Sequence, residues 1–163
     1  MLVVKATEKE GARIRRTREV DKERIHKMIT FYQNFTDKCH HAKEERYYFP
    51  AAEVYDSESI AKQTEARRSE HTLFRGMLEE VDYLLGQEPL KAAMVAERLE
   101  RYAELLRVHI ETENQQLFPE GDQVLPASEE KAMLQGFMRI EKVELEEGFH
   151  QKYKRLAEEL AGK

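Results

Sequence analysis

The chain has one cysteine, Cys39, among 163 residues. It can form no internal disulfide and offers no paired thiolates for a zinc site. It has no tryptophan, 4 prolines and 7 glycines, so turns are few and elements are long. β-branched runs are scarce, and there is no glycine-rich phosphate loop. No apolar run approaches the roughly 20 residues needed to cross a bilayer. Met1–Val4 is too short for a secretory leader. The net charge of −5 gives no general attraction to nucleic acid or to an anionic membrane. The expected location is therefore the cytoplasm, with neither nucleic acid nor membrane as a partner.

What is present favours helices. Glu, Lys, Arg, Leu and Ala dominate, and charged residues make up 36%, which suits helices with wet outer faces. Residues 1–20 form a charged N-terminal segment, with the basic cluster Arg13-Ile14-Arg15-Arg16-Thr17-Arg18 read as a solvated face. Residues 21–163 form one helical bundle. A long helix is expected from about Asp21, a good N-cap, to Tyr48. Ile25, Met28, Ile29, Tyr32, Phe35 and Cys39 mark its buried face, and Pro50 with the polar stretch 55–58 ends it. A second helix covers about Glu58–Leu85 and stops at Gly86. Pro89 suits the first turn of a third, which runs to about Leu117. After a break at Pro119, Gly121 and Pro126, Ser128 can cap a fourth helical region, about Glu129–Leu160. Gly136 and Gly148 weaken that region, so two pieces are expected there.

A short repeat carries the chemistry. The stretch from His40 to Pro50 aligns with that from His109 to Pro119. In each copy a Glu follows the His by four residues, and Phe-Pro closes the unit. Positions four apart lie one above the other on a helix, so His40 and Glu44 reach one point, as do His109 and Glu113. Val95, Leu99, Tyr102, Leu106, His109 and Glu113 form one inward stripe. His71, Phe74, Leu78, Val81 and Leu85 form another. Straight helical geometry puts His40 about 100° from the centre of its helix's apolar face and His41 about 160° away, which favours His40. Imidazole plus carboxylate, offered twice, suits iron or manganese, and bundles that hold two metals draw inward His and Glu from several helices. Burying two carboxylates without a partner is costly. His26, roughly 21 Å along the helix from His40, and His150 are read as surface residues.

These residues resemble the hemerythrin-like family, the HHE cation-binding domain. Phe31–Glu45 with Phe49-Pro50 is similar to the family's second helix. Ser69-Glu70-His71 is similar to its third, and Tyr102–Asn114 with Leu117-Phe118-Pro119 to its fourth. The resemblance implies an all-α, antiparallel four-helix bundle around two non-haem irons, with an oxo or hydroxo bridge and an open position for dioxygen. It implies His40, Glu44, His71, His109 and Glu113 as metal ligands, with the carboxylates bridging.

One feature departs from the family. Lys5-Ala6-Thr7-Glu8 resembles the usual opening, but the Glu-His helix that should follow is absent, and no histidine precedes His26. The first helix is thus expected to be atypical or missing, with one ligand and one wall lost. The C-terminal helices can fill the groove, a second copy can supply a helix, or another residue (His41, Glu70, Tyr47, Tyr48, Tyr102, or His26 from a second copy) can complete the coordination. An exposed apolar groove favours association, so a homodimer is expected. The implied function is binding, sensing or reduction of dioxygen, peroxide or NO. The alternatives are an iron-handling or regulatory module without turnover, and a metal-free bundle acting through helix contacts.

Overall fold

The computed structural model describes every residue except Ser57 and Lys163. Ser57 belongs to the stretch expected to end the first long helix, and so lies outside the described residues. Among the described residues there is no strand. Eight α-helices follow in order: α1 Leu2–Thr17, α2 Lys22–Phe31, α3 Phe49–Tyr55, α4 Ser59–Leu85, α5 Ala92–Thr112, α6 Phe118–Val124, α7 Ala127–Arg139 and α8 Phe149–Ala161. Wider π-helical windings at Tyr32–His41 and Glu44–Tyr48 join α2 to α3, and another at Glu113–Leu117 joins α5 to α6.

The chain folds as an antiparallel four-helix bundle. Its walls are α1, the long α2–α3 rod, α4 and α5. Ion pairs that run in opposite order along neighbours set the directions. Arg107 meets Glu8 while Glu100 meets Arg15. Arg98 meets Glu80 while His109 meets Glu70. Arg75 meets Asp37 while Asp82 meets His26. Asp21 caps α2, its side chain accepting from Arg24 N at 2.9 Å.

The expectation of a missing wall is corrected. Residues 2–17 are a full helix whose buried members Val3, Val4, Ala6, Thr7, Glu10, Gly11 and Ile14 recur at helical steps. The surrounding charges hide this stripe in the sequence. Gly11 is required at the crossing with α5, because a Cβ there would stand 3.2 Å from the Ala96 carbonyl oxygen and 2.6 Å from Glu100 Cγ. The buried Glu10 carboxylate is held by Arg13 at 2.7 Å and Arg24 at 3.3 Å, which ties α1 to α2. The first helix is present but carries no histidine. Helix α8 packs across both α1 and α2, with Tyr153 against Phe31 and Phe149 against Phe35. Within one chain, α1 supplies the fourth wall and α8 packs beside it.

Three boundaries differ from expectation. Pro89 stands outside α5, which begins at Ala92, where the apolar stripe of Val95 and Ala96 starts. Ser128 lies inside α7, which Pro126 precedes. Pro50 does not end its helix, for a reason that belongs to the site. The fourth region does divide, and the break falls at Gly148, whose φ of 75° suits glycine. Gly136 stays helical, because it admits Tyr47: a Cβ there would lie 2.3 Å from the ring.

Buried apolar residues form two clusters. The larger runs through all four walls and α8. The smaller joins Tyr48, Phe49, Ala52, Ile60, Leu117 and Leu125. A polar layer of His and Glu separates them. Each Leu, Ile or Phe so buried contributes roughly 1.5–3 kcal/mol, which sets the scale of support for the costly layer between.

Candidate metal centre

The repeated motif builds the same local structure twice. Glu44 and Glu113 each open a π turn, in which the Phe49 and Phe118 amides donate to the Glu44 and Glu113 carbonyls, five residues back. Pro50 and Pro119 then enter the first turn of α3 and α6. In an unbroken α-helix each proline would remove a hydrogen bond and press its ring on the carbonyl four residues earlier. The wider winding relieves both problems, so the rod continues through the proline. Such windings recur at functional sites.

The wider winding also explains His41. It ends a ten-residue stretch of i→i+5 geometry, in which each residue turns through less than an α-helical step. The two neighbouring histidines therefore both reach the polar layer. His41 is 2% exposed, with its ring stacked on His71 at 3.7 Å between centroids. The preference for His40 over His41 assumed regular helix and does not separate them here.

Two sets of ligand atoms result, each with its atoms within 4.8 Å of one another: His41, His71 and His109, all buried, and His40, Glu44 and Glu113. All five residues expected at the site are thus brought together, with His41 added. The carboxylates span the two sets. Glu44 Oε1 lies 3.2 Å from His40 Nε2, while its Oε2 lies 3.7 Å from His71 Nε2. Glu113 Oε2 lies 4.0 Å from His40 Nε2, while its Oε1 is 3.0 Å from His109 Nε2 and 4.0 Å from His71 Nε2.

Outer carboxylates fix the imidazoles. Glu45 Oε1 is 2.7 Å from His71 Nδ1, and Glu70 Oε2 is 2.7 Å from His109 Nδ1. Asp37 lies 3.4 Å from His41 Nδ1. Arg75 clamps Asp37 and Glu45 from outside at 2.7 and 2.9 Å, and Arg67 holds Glu70 at 3.0 Å. With each Nδ1 donating outward, each Nε2 offers a lone pair inward, the second-layer arrangement typical of metal-ligating histidine. These three carboxylates escape a reading that looks only for inward stripes, although Glu45 and Glu70 adjoin Glu44 and His71, and Asp37 precedes His41 by four.

The inward atoms face one another without hydrogen bonds. His41, His71 and His109 Nε2, both Glu44 oxygens and Glu113 Oε1 are buried without a hydrogen bond. Each such atom costs roughly 1–3 kcal/mol, so a cluster of six is what a multivalent cation would offset. Electrostatics agree. Burial, reinforced by His41 and His109, pushes the His71 pKa down to about 2. Burial also lowers that of His41, against the pull of Asp37. Both are neutral donors at ordinary pH, as metal binding requires. Burial raises Glu44 to about 8. Burial also works upward on Glu113, but His109 and His40 outweigh it and bring that carboxylate to about 2.

Other candidates for the missing coordination are engaged elsewhere. Glu70 serves His109. Tyr48 donates to the Leu117 carbonyl at 3.0 Å, Tyr47 packs on Phe137, and Tyr102 packs on Tyr32. His26 is 53% exposed beside Asp82. A third grouping, Cys39, Glu141 and His150, already holds a cation, since Lys43 pairs with Glu141.

A helical bundle with an inward double set of His and Glu, the three buried imidazoles each backed by a carboxylate, defines a metal-binding module. The sequence model of one family, the Hemerythrin HHE cation binding domain, matches residues 5–120. The chain belongs to that family. No curated protein and no solved structure matches it significantly. The match takes in most of α1 and every residue of the two ligand sets, while α7 and α8 lie beyond it. No helix among the described residues is long and apolar enough to cross a membrane.

Proposed function

We propose that this chain is a non-haem di-iron protein that binds, senses or reduces a small oxidant such as dioxygen, peroxide or NO. The observation that carries this is the pair of carboxylates, Glu44 and Glu113, each with one oxygen toward His40 and the other toward the buried histidines. That arrangement suits two cations sharing both carboxylates, and the orphaned nitrogens fit neutral imidazole donors to iron. His41, His71 and His109 would hold one ion and His40 the other. Iron would supply the redox chemistry, cycling between ferrous and ferric states.

The protein's own groups set the conditions. Glu45, Glu70 and Asp37 keep the imidazole protons on Nδ1. Phe49 and Phe74 pack beside His71 and His109 and make that flank of the three-histidine set apolar. The His40 side chain is 46% exposed, so a small molecule arrives on that side. In this reading the absent first-helix histidine leaves a metal position with one imidazole, which favours turnover or sensing over enclosed carriage of oxygen.

A second reading, an iron-handling or regulatory module without turnover, is favoured by the same exposure, because a metal held by one half-exposed histidine exchanges easily. The two separate in one assay. Iron-loaded protein is mixed with peroxide, NO or dioxygen, and consumption is followed against the iron-free protein. Multiple turnovers per iron support the first reading. Consumption no faster than the iron-free control, together with no change in the iron-loaded protein's optical spectrum on adding the oxidant, refutes it and leaves the second.

A further inference from the structure

A cavity of about 580 Å³ opens against the candidate centre. Its floor is His40, His41 and His109. Its walls are apolar and come from four elements: Val3 of α1, Phe31 and Phe35 of the first long rod, Leu106 and Ile110 of α5, and Tyr153 of α8. It lies at the start of α1, beside helix positions that hold Leu2, Val3 and Val4 and no ligand. The volume is in the range of roughly 300–1,000 Å³ usual for small-molecule sites, which are likewise mostly apolar with a few polar groups. A diatomic oxidant needs far less room.

The charge of the lining is one-sided. The chain has 32 acidic residues against 27 basic ones, yet no Asp or Glu lines this cavity, while His150 and Lys154 do. Both are exposed on α8. His150 already meets Glu141 at 2.8 Å. Lys154 has no carboxylate within 4.0 Å among the described residues, unlike Lys152 two positions earlier, which pairs with Glu146 at 2.6 Å. An apolar chamber with an unpaired ammonium at its rim is complementary to a molecule with an apolar tail and one anionic head.

We propose that the cavity binds a medium-chain monocarboxylate. The carboxylate pairs with Lys154, with His150 alongside, and the alkyl chain lies along Phe31, Phe35 and Tyr153 toward His40. Binding would then control access to the exposed metal position. This last step rests on the di-iron reading, whereas the binding itself uses only the protein's own walls.

Calorimetric titration with hexanoate, octanoate and decanoate tests it, on iron-loaded and iron-free full-length protein. Saturable binding is expected in both forms. Each added methylene removed from water is expected to tighten it roughly fourfold. Lys154→Glu should weaken decanoate about tenfold or more and shift preference toward decyltrimethylammonium. Ile110→Trp, which fills the chamber, should abolish saturation while circular dichroism stays helical. Failure of binding in both forms overturns the proposal, as does equal affinity for the cationic amphiphile. Binding by the iron-free form alone would mean that the acid occupies the metal position, and binding by the loaded form alone would mean that iron holds the head. Either result overturns the placement at Lys154. Failure of the di-iron reading would instead appear as absent iron with decanoate binding intact.

Discussion

Replacing Glu44 with Gln should make the metal-free protein more stable while removing its capacity for a full metal complement. Glu44 is 3% exposed, and neither of its oxygens has a hydrogen-bond partner. Burial raises its pKa from the ordinary 4.5 to about 8. At pH 7 the folded, metal-free protein therefore keeps this carboxyl protonated, while the unfolded chain releases the proton. The gap between 4.5 and 7, at about 1.4 kcal/mol per pH unit, is a penalty of roughly 3 kcal/mol on folding. A group whose folded pKa is raised in this way costs little below pH 4.5, and the cost grows as pH rises toward 8. At pH 5 it is about 1 kcal/mol or less. Glutamine is neutral at every pH and similar in shape, so it removes the penalty. For a domain of this size 1 kcal/mol corresponds to roughly 2–4 °C. Glu44→Gln should thus raise the Tm of the metal-free protein by about 6–12 °C at pH 7 and by only a few degrees at pH 5. The assay is thermal unfolding followed by circular dichroism in chelator at both pH values, repeated with ferrous iron under argon. Iron should raise the wild-type Tm, since a ligand at a hundred times its Kd contributes about 2.7 kcal/mol, and should raise the variant's far less. A fall in Tm for the metal-free variant, or a gain equal at pH 5 and pH 7, would refute the reasoning.

Four further outcomes follow from the same geometry. His109→Ala should abolish iron loading by elemental analysis, whereas His26→Ala, 53% exposed beside Asp82, should leave it unchanged. Glu45→Gln and Glu70→Gln remove the acceptors of His71 and His109 Nδ1, and each should weaken iron binding about 10–100-fold in competition with a chelator. Gly136→Ala places a methyl 2.3 Å from the Tyr47 ring and should cost about 1–3 kcal/mol in urea unfolding. Ile14→Asp, at a position with no exposure, should uncouple α1 from the bundle, seen as loss of amide-exchange protection in residues 2–17.

Much of this was legible in the sequence because it is periodic. The stripes of α4 and α5 continue unbroken from apolar residues into His71, His109 and Glu113, so the inward direction of those ligands could be read from spacing alone. The repeated His-x-x-x-Glu with Phe-Pro marked the second pair. Two features could not be read that way. The π windings shift the angular register, so the regular step that favoured His40 over His41 does not apply after Tyr32, and the same windings carry Pro50 and Pro119 through a helix they were expected to end. The α1 stripe was hidden by charge: Glu10 lies on its buried face, and only the packing shows that Arg13 and Arg24 neutralise it. The carboxylates behind the imidazoles come from neighbouring walls, and their pairing is a tertiary fact that no local pattern encodes.

The most direct test of a two-metal centre is iron per chain, measured after anaerobic loading and removal of excess iron, for the wild type and for His40→Ala and His41→Ala. The account predicts about two irons in the wild type. It predicts about one in His40→Ala, because His41, His71 and His109 remain, and weaker retention of the buried iron in His41→Ala. Less than about one tenth of an iron per wild-type chain, or loss of both irons in His40→Ala alone, would contradict it.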